Sequence, residues 1–364
     1  MMLQKIKLFI VFFLCYIPLV FSSDGIKYRT ITNSFYLYKQ YIHIIEIDPD
    51  LYEIKAVKAL DNGIGRESVL SLSNRHKAIA AINGGFFTIG STLDGKACGA
   101  LKIHDWVALP FKPRGCIGWN IHNKPIFDRL LVTIDLNKEL SVDGLNRQRK
   151  TGEIILFNSL FNKSTLTTSD GEELIIQNHI ITDIKRGQGS SLIPADGWVL
   201  SIQKEHPLFG FFQKGSSISF DFNIMSQTNL TISEEWGKCD YIVGGTPILI
   251  KNSTKILDFS PELTIPTFLT NRHARTAIGI LPNGNWIFVV VDKTGIFDGM
   301  SMDELSDFMI SLSCTNALNL DGGGSSTIVF DGEIKNSPHG DEDEGEGQKV
   351  IRRVSDAIIV IPKK

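Results

Sequence analysis

Late in the chain, Asp321 is followed by three glycines, Gly322, Gly323 and Gly324, and three hydroxyl residues, Ser325, Ser326 and Thr327. Successive glycine amides can form an anion-binding concavity beside the carboxylate. A flexible hairpin accounts for the glycines, but not for Asp321 and three hydroxyls crowded around them. The run is not a P-loop, because no Gly-Lys-Ser/Thr follows, and its spacing breaks the dinucleotide fingerprint. It also lacks the G-x-S-x-G of a nucleophile elbow.

Three earlier segments have related chemistry. In His273-Ala274-Arg275-Thr276, the guanidinium of Arg275 would enter a strand facing the core, where arginines seldom go unpaired. A guanidinium grips phosphate in a bidentate fork, although a structural salt bridge fits the position equally well. His273 is a candidate proton donor or an ordinary strand-end histidine. In Ala81-Ile82-Asn83-Gly84-Gly85-Phe86-Phe87, the Asn83 amide can both donate to and accept from a sugar hydroxyl, and an aromatic ring can cover a sugar face. A tight turn with two core aromatics is the plainer reading. Gly244-Gly245-Thr246-Pro247 by itself is only a turn signal.

These segments sit at the edges of short apolar runs, where a sheet presents loops to a shared cleft. Strands are expected at Tyr41–Ile47, Leu51–Val57, Ile79–Ile82, Glu153–Phe157, Leu174–Ile176, Trp198–Ile202, Ser217–Phe222 and Trp286–Val291. Another begins in the Arg275 segment and reaches a hairpin signal at Pro282-Asn283-Gly284-Asn285. Helical signals are few. One runs from Glu67 to about Arg75. The other begins with the capping box Ser301-Met302-Asp303-Glu304, followed by Leu305, Phe308, Met309 and Leu312 at helical spacing. Strands with a few helices and no regular βαβ alternation predict an α+β fold of strand-rich mixed sheets.

The first 22 residues read as a cleaved secretory signal: Lys5 and Lys7, then an apolar run from Leu8 to Phe21. Residues 23–364 form the expected domain, secreted or periplasmic, with no membrane anchor after cleavage. A net charge of −3 gives no electrostatic reason to bind nucleic acid. The remaining cysteines, Cys98, Cys116, Cys239 and Cys314, allow three disulfide pairings or none. No CxxC or HExxH occurs, and the reading includes no metal and no cofactor. The only charge run, His339 to Gly347, reads as a solvated loop. The oligomeric state is left open.

The stretches AINGGFF (81–87), GGTPILI (244–250), HARTAIGI (273–280) and SMDELSDFM through ALNLDGGGSSTIV (301–329) resemble, in this order, the phosphodiester glycosidase family. Weaker likeness at LNRQRKTGEIILFN, IPADGWVLS and RRVSDAIIVI extends it to roughly residues 41–362. The resemblance implies one catalytic α+β domain that breaks the C1–O bond of a sugar-1-phosphodiester, releasing free sugar and a phosphomonoester. For that reaction Asp321 is the candidate carboxylate, as nucleophile or as base for water. Arg275, with the amides of 322–324 and Ser325 or Ser326, is the candidate to stabilise the departing phosphate. Asn83, Gly84, Asn319, Thr276 and His273 complete the expected substrate contacts. Asp292 and Glu304 are candidate second carboxylates, with Glu304 better placed as a cap. Asp292-Lys293-Thr294 departs from an Asp-Gly-Arg frequent in the family, so any part played by that arginine is lacking here. Two other functions fit the same sequence: a phosphodiesterase cutting the P–O bond of an envelope polymer, and a non-catalytic glycan-binding envelope protein.

Overall fold

The computed structural model describes residues 21–35, 38–227, 233–338, 340–341 and 350–363. The expected signal segment lies almost wholly outside these residues, as does most of the acidic run.

Two sheets pack face to face and carry the site. The first has eight strands, with Tyr38–Ile47, Trp286–Val291, Arg275–Ile280 and Asn316–Asn319 side by side at its centre. The second has five, in which Ile328–Phe330, Ala80–Asn83, Asp356–Pro362 and Tyr52–Lys58 are neighbours. Every pairing within these two sheets is antiparallel. Side chains alternate across a strand, so each central strand feeds two cores. Phe288 and Val290 point between the sheets, where they meet Ile82, Ile328 and Ile358. Val289 and Val291 point outward and are covered by Met302, Leu305 and Met309 of the Met302–Ser311 helix. The five-stranded sheet is covered likewise by Val69 and Leu72 of the Val69–Arg75 helix, packed on Ala81, Val329 and Ile359. The result is four layers: helix, sheet, sheet, helix. Burial on both faces explains why Trp286–Val291 reads as an unbroken apolar run although its sheet is antiparallel.

The capping box is present as read: the Ser301 hydroxyl accepts from the Glu304 amide (3.3 Å), and the Glu304 carboxylate accepts from the Ser301 amide (2.9 Å). The strand expected at Ser217–Phe222 instead runs Phe220–Ser226. The Ile218 amide is drawn to the His179 carbonyl (2.8 Å) and the Ser219 amide to Asn137 Oδ1 (2.8 Å), so ladder pairing starts only opposite Leu136.

A second lobe packs a seven-stranded sheet against another five-stranded sheet through Leu130, Ile134, Ile154, Leu200 and Ile202. Trp119 and Tyr241 of the seven-stranded sheet reach into the first lobe's core, which ties the lobes together. The fold is α+β, as expected. Among the described residues, no helix is long and apolar enough to cross a membrane.

Candidate active site

The ends of strands from the two facing sheets converge on Asp321. Asn83 ends its strand in the five-stranded sheet and Asn319 ends its strand in the eight-stranded sheet, two residues before Asp321. Asn83 fastens them. Its Nδ2 donates to the Asp321 carbonyl (2.8 Å), and its Oδ1 accepts from the Thr276 hydroxyl (2.8 Å) and the Thr327 amide (3.2 Å). The side-chain amide expected to hold a sugar hydroxyl is therefore engaged by protein, as is the Thr276 hydroxyl. Both brace the site instead of facing a ligand.

The glycine run closes as a 3-10 turn, Gly323–Ser325. The Gly322 amide donates to the Asp321 Oδ1 (2.9 Å) and the Gly323 amide to the Ala274 carbonyl (2.8 Å). Two amides of the expected anion nest are thus already occupied, one of them by Asp321 itself. The hydroxyls behave differently. Among the described residues, Ser325 Oγ, Ser326 Oγ, Thr327 Oγ1, Asn319 Oδ1 and Asp356 Oδ2 are all buried without a hydrogen-bond partner. Buried polar atoms are nearly always satisfied, and four of these five fall within residues 319–327, so this loop holds polar capacity that a ligand or ordered water could take up.

Asp321 keeps part of its surface open, yet protein surrounds its carboxylate, and that burial pushes its pKa up to about 6. The Gly322 amide and the nearby Arg352 charge pull it down, while the Asp356 carboxylate adds to the rise. Ser325 lies close enough to favour the charged form but falls short of hydrogen-bond geometry, which leaves its Oγ unpartnered.

Asp356 is the residue that sequence reading missed. It opens the Asp356–Pro362 strand, is 2% exposed, and accepts from the Gly85 amide through Oδ1 (2.9 Å). Burial raises its pKa, with the Lys58 ammonium as the main opposing charge. Its carboxylate explains the glycine at 84: a Cβ there would lie 2.0 Å from Asp356 Oδ1. Asp356 stands at the head of a buried apolar strand, where a carboxylate is out of pattern. That was the available signal.

Arg275 is 1% exposed and lies beside the loop, 3.8 Å from where a Gly322 Cβ would sit. Its guanidinium, however, turns into the backbone. Nε donates to the Met300 carbonyl (2.8 Å), and Nη2 donates to the carbonyls of Asn271 (2.7 Å) and Phe268 (3.1 Å). Burial lowers its pKa to about 10, so it remains charged. Arg275 is a clamp on the 268–275 turn. The cation that faces the glycine loop is Arg352, whose guanidinium is 2.5 Å from where a Gly324 Cβ would sit.

His273 is half-buried, and burial, with the Arg275 and Lys293 charges, lowers its pKa. Glu304 caps its helix and pairs with Arg272. Asp292 sits in a separate buried chain: Tyr28 and Asp292 bond the two ring nitrogens of His43 (2.8 and 3.2 Å). That chain reaches the site through Asn336, which donates to Asp292 (3.2 Å) and to the Ser326 carbonyl (2.9 Å). No three His, Cys, Asp or Glu side chains among the described residues come together as a metal site requires.

A family model described as phosphodiester glycosidase matches residues 170–361, just over half of the chain. The bovine N-acetylglucosamine-1-phosphodiester alpha-N-acetylglucosaminidase is 34% identical over 128 residues, a third of this chain and 24% of that enzyme. An uncharacterised protein of Rickettsia conorii is 26% identical over 229 residues, 61% of this chain and 77% of its own length. A crystal structure of a hypothetical protein from Synechocystis shares the fold across 95% of this chain and 64% of its own, with a TM-score of 0.79 at 24% identity.

Proposed function

The chain belongs to the phosphodiester glycosidase family, and from that premise we propose that it is an extracytoplasmic hydrolase that breaks the C1–O bond of a sugar-1-phosphodiester. The products are free sugar and a phosphomonoester. Its leading residues act as an export signal that is then removed. The observation that carries the reading is Asp321: a carboxylate of raised pKa, next to a second buried carboxylate and a cation, at the start of a loop whose hydroxyls are buried without partners.

Phosphate leaves readily, so the site needs little general-acid help. It needs a carboxylate at the sugar carbon as positive charge develops there, and a cation at the departing phosphate. With its pKa near 6, Asp321 is mostly ionised at neutral pH and serves as nucleophile or as base for water. Arg352 supplies the charge at the phosphate. Ser325, Ser326 and Thr327 hold sugar or phosphate oxygens. Asp356 fixes Gly84 and Gly85, and its negative charge helps to keep the Asp321 pKa high.

The test is hydrolysis of a sugar-1-phosphodiester in oxygen-18 water. Free sugar released together with an unlabelled phosphomonoester supports C1–O cleavage. Label in the phosphomonoester means that P–O breaks instead and overturns the assignment.

A further inference from the structure

A cavity of about 390 Å³ opens in the second lobe, lined among others by Lys96, Cys98, Phe111, Thr133, Leu145 and Arg147. The chain leads to it directly from the active site. Gly85 donates its amide to Asp356. From there the backbone runs out as a hairpin in which the Cys98 amide donates to the Phe86 carbonyl (2.8 Å) and the Thr88 amide to the Lys96 carbonyl (2.9 Å). Lys96 thus sits opposite Thr88, three residues on from Gly85.

Lys96 is poorly compensated by the protein around it. Its ammonium donates to the Ala97 carbonyl (2.9 Å) and has no carboxylate partner among the described residues. Burial lowers its pKa, and the neighbouring Arg147 adds to that effect while the Cys98 thiol opposes it. Arg147 itself is held by both carboxylate oxygens of Glu153 (2.6 and 3.1 Å). Asp143 also lines the cavity, but one of its oxygens accepts from the Ile154 amide (2.8 Å) and it forms no ion pair with Lys96. A half-buried ammonium without a counter-charge is costly unless a ligand supplies one. The remaining walls, with Phe111 and Leu145, are mainly apolar.

Resting on the proposed reaction, we infer that this cavity receives the alcohol half of the diester and that Lys96 binds a second phosphate on that alcohol. The preferred substrate class is then a sugar-1-phosphodiester whose alcohol carries a further phosphate, as in a phosphodiester polymer.

Two substrates that differ only in the alcohol test this: a sugar-1-phosphoglycerol and the same diester with a phosphate on the distal glycerol hydroxyl. The wild type should favour the second by about tenfold or more in kcat/KM, through KM, and Lys96→Met should abolish the preference while leaving the first substrate within about twofold. Glycerol 3-phosphate alone should bind the wild type by calorimetry and bind Lys96→Met at least about tenfold more weakly. Equal rates on the two diesters, or binding indifferent to Lys96, overturns the inference. No cleavage of either diester with Lys96-dependent binding intact overturns the reaction instead and keeps the cavity's ligand class.

Discussion

Asp321 is destabilised by its own charge, and that makes its role measurable in two ways. Burial raises its pKa from the usual carboxylate range to about 6. As a nucleophile or base it must be ionised, so kcat/KM should climb with pH through about 6 and level off above about 7. A profile flat from about pH 5 to 7.5 would remove Asp321 from the chemistry. The stability effect has the opposite sign. A carboxyl whose folded pKa is raised binds its proton more tightly when folded, so the folded state gains at low pH and loses that gain as pH rises through about 6. Asp321→Asn should therefore lose activity by about a thousandfold or more and yet be more stable than wild type at about pH 7.5, on the order of 2 kcal/mol, with the gain vanishing near pH 4. Denaturant titrations of both proteins at the two pH values read it directly. Lower stability of the Asp321→Asn variant at the higher pH would mean that the carboxylate is structural.

At the scale of strands and turns, the site is held by side chains that sequence reading assigned to the substrate. Types and spacing made Asn83, Arg275, Thr276 and Asp321 visible, and the structure does gather them. The direction of each polar group was not legible, because it depends on contacts between residues far apart in the chain, such as Asn83 with Thr327 or Arg275 with Met300. The strands themselves were legible because their β-branched runs are bounded by turn residues. The helix at 302–311 was legible because its cap is local. Asp356 and Arg352 escaped because each lies beside the site only through the pairing of the last strand with Ala80–Asn83. The two arginines should therefore separate on mutation. Arg275→Ala removes a donor from three carbonyls, of which Met300 keeps the His273 amide, and should lower stability by about 3 kcal/mol, with similar losses on a sugar phosphodiester and on a neutral aryl glycoside if that is turned over. Arg352→Ala should fall mainly on the phosphodiester, by about a hundredfold. Melting curves and the ratio of the two activities decide between them. A phosphodiester-specific loss at Arg275 would return the phosphate to that residue.

The whole molecule is held by packing. Its layered cores bury nearly every residue of the central strands, and a chain of this length can bury enough apolar surface to fold without crosslinks. The cysteines fit that picture. Cys98, Cys116, Cys239 and Cys314 are all free thiols, although the export proposed above would permit disulfides. Cys116, Cys239 and Cys314 are buried, and burial pushes the pKa of all three up, that of Cys239 and of Cys314 to about 12. A thiol held protonated and out of solvent reacts slowly. Cys98 is only half-buried and lines the cavity beside Lys96. In the chain freed of its first 22 residues, a soluble thiol reagent should therefore modify Cys98 first, and the other three should appear only on unfolding. Reductant should leave the melting temperature unchanged. Labelling at Cys98 should also place bulk in the cavity, and so slow the hydrolysis of a diester with a phosphorylated alcohol more than one with plain glycerol. Mass spectrometry of the labelled protein, with the two rates measured before and after, checks each step. A melting temperature that falls by more than about 5 °C on reduction would mean that a crosslink carries stability this fold should draw from its cores.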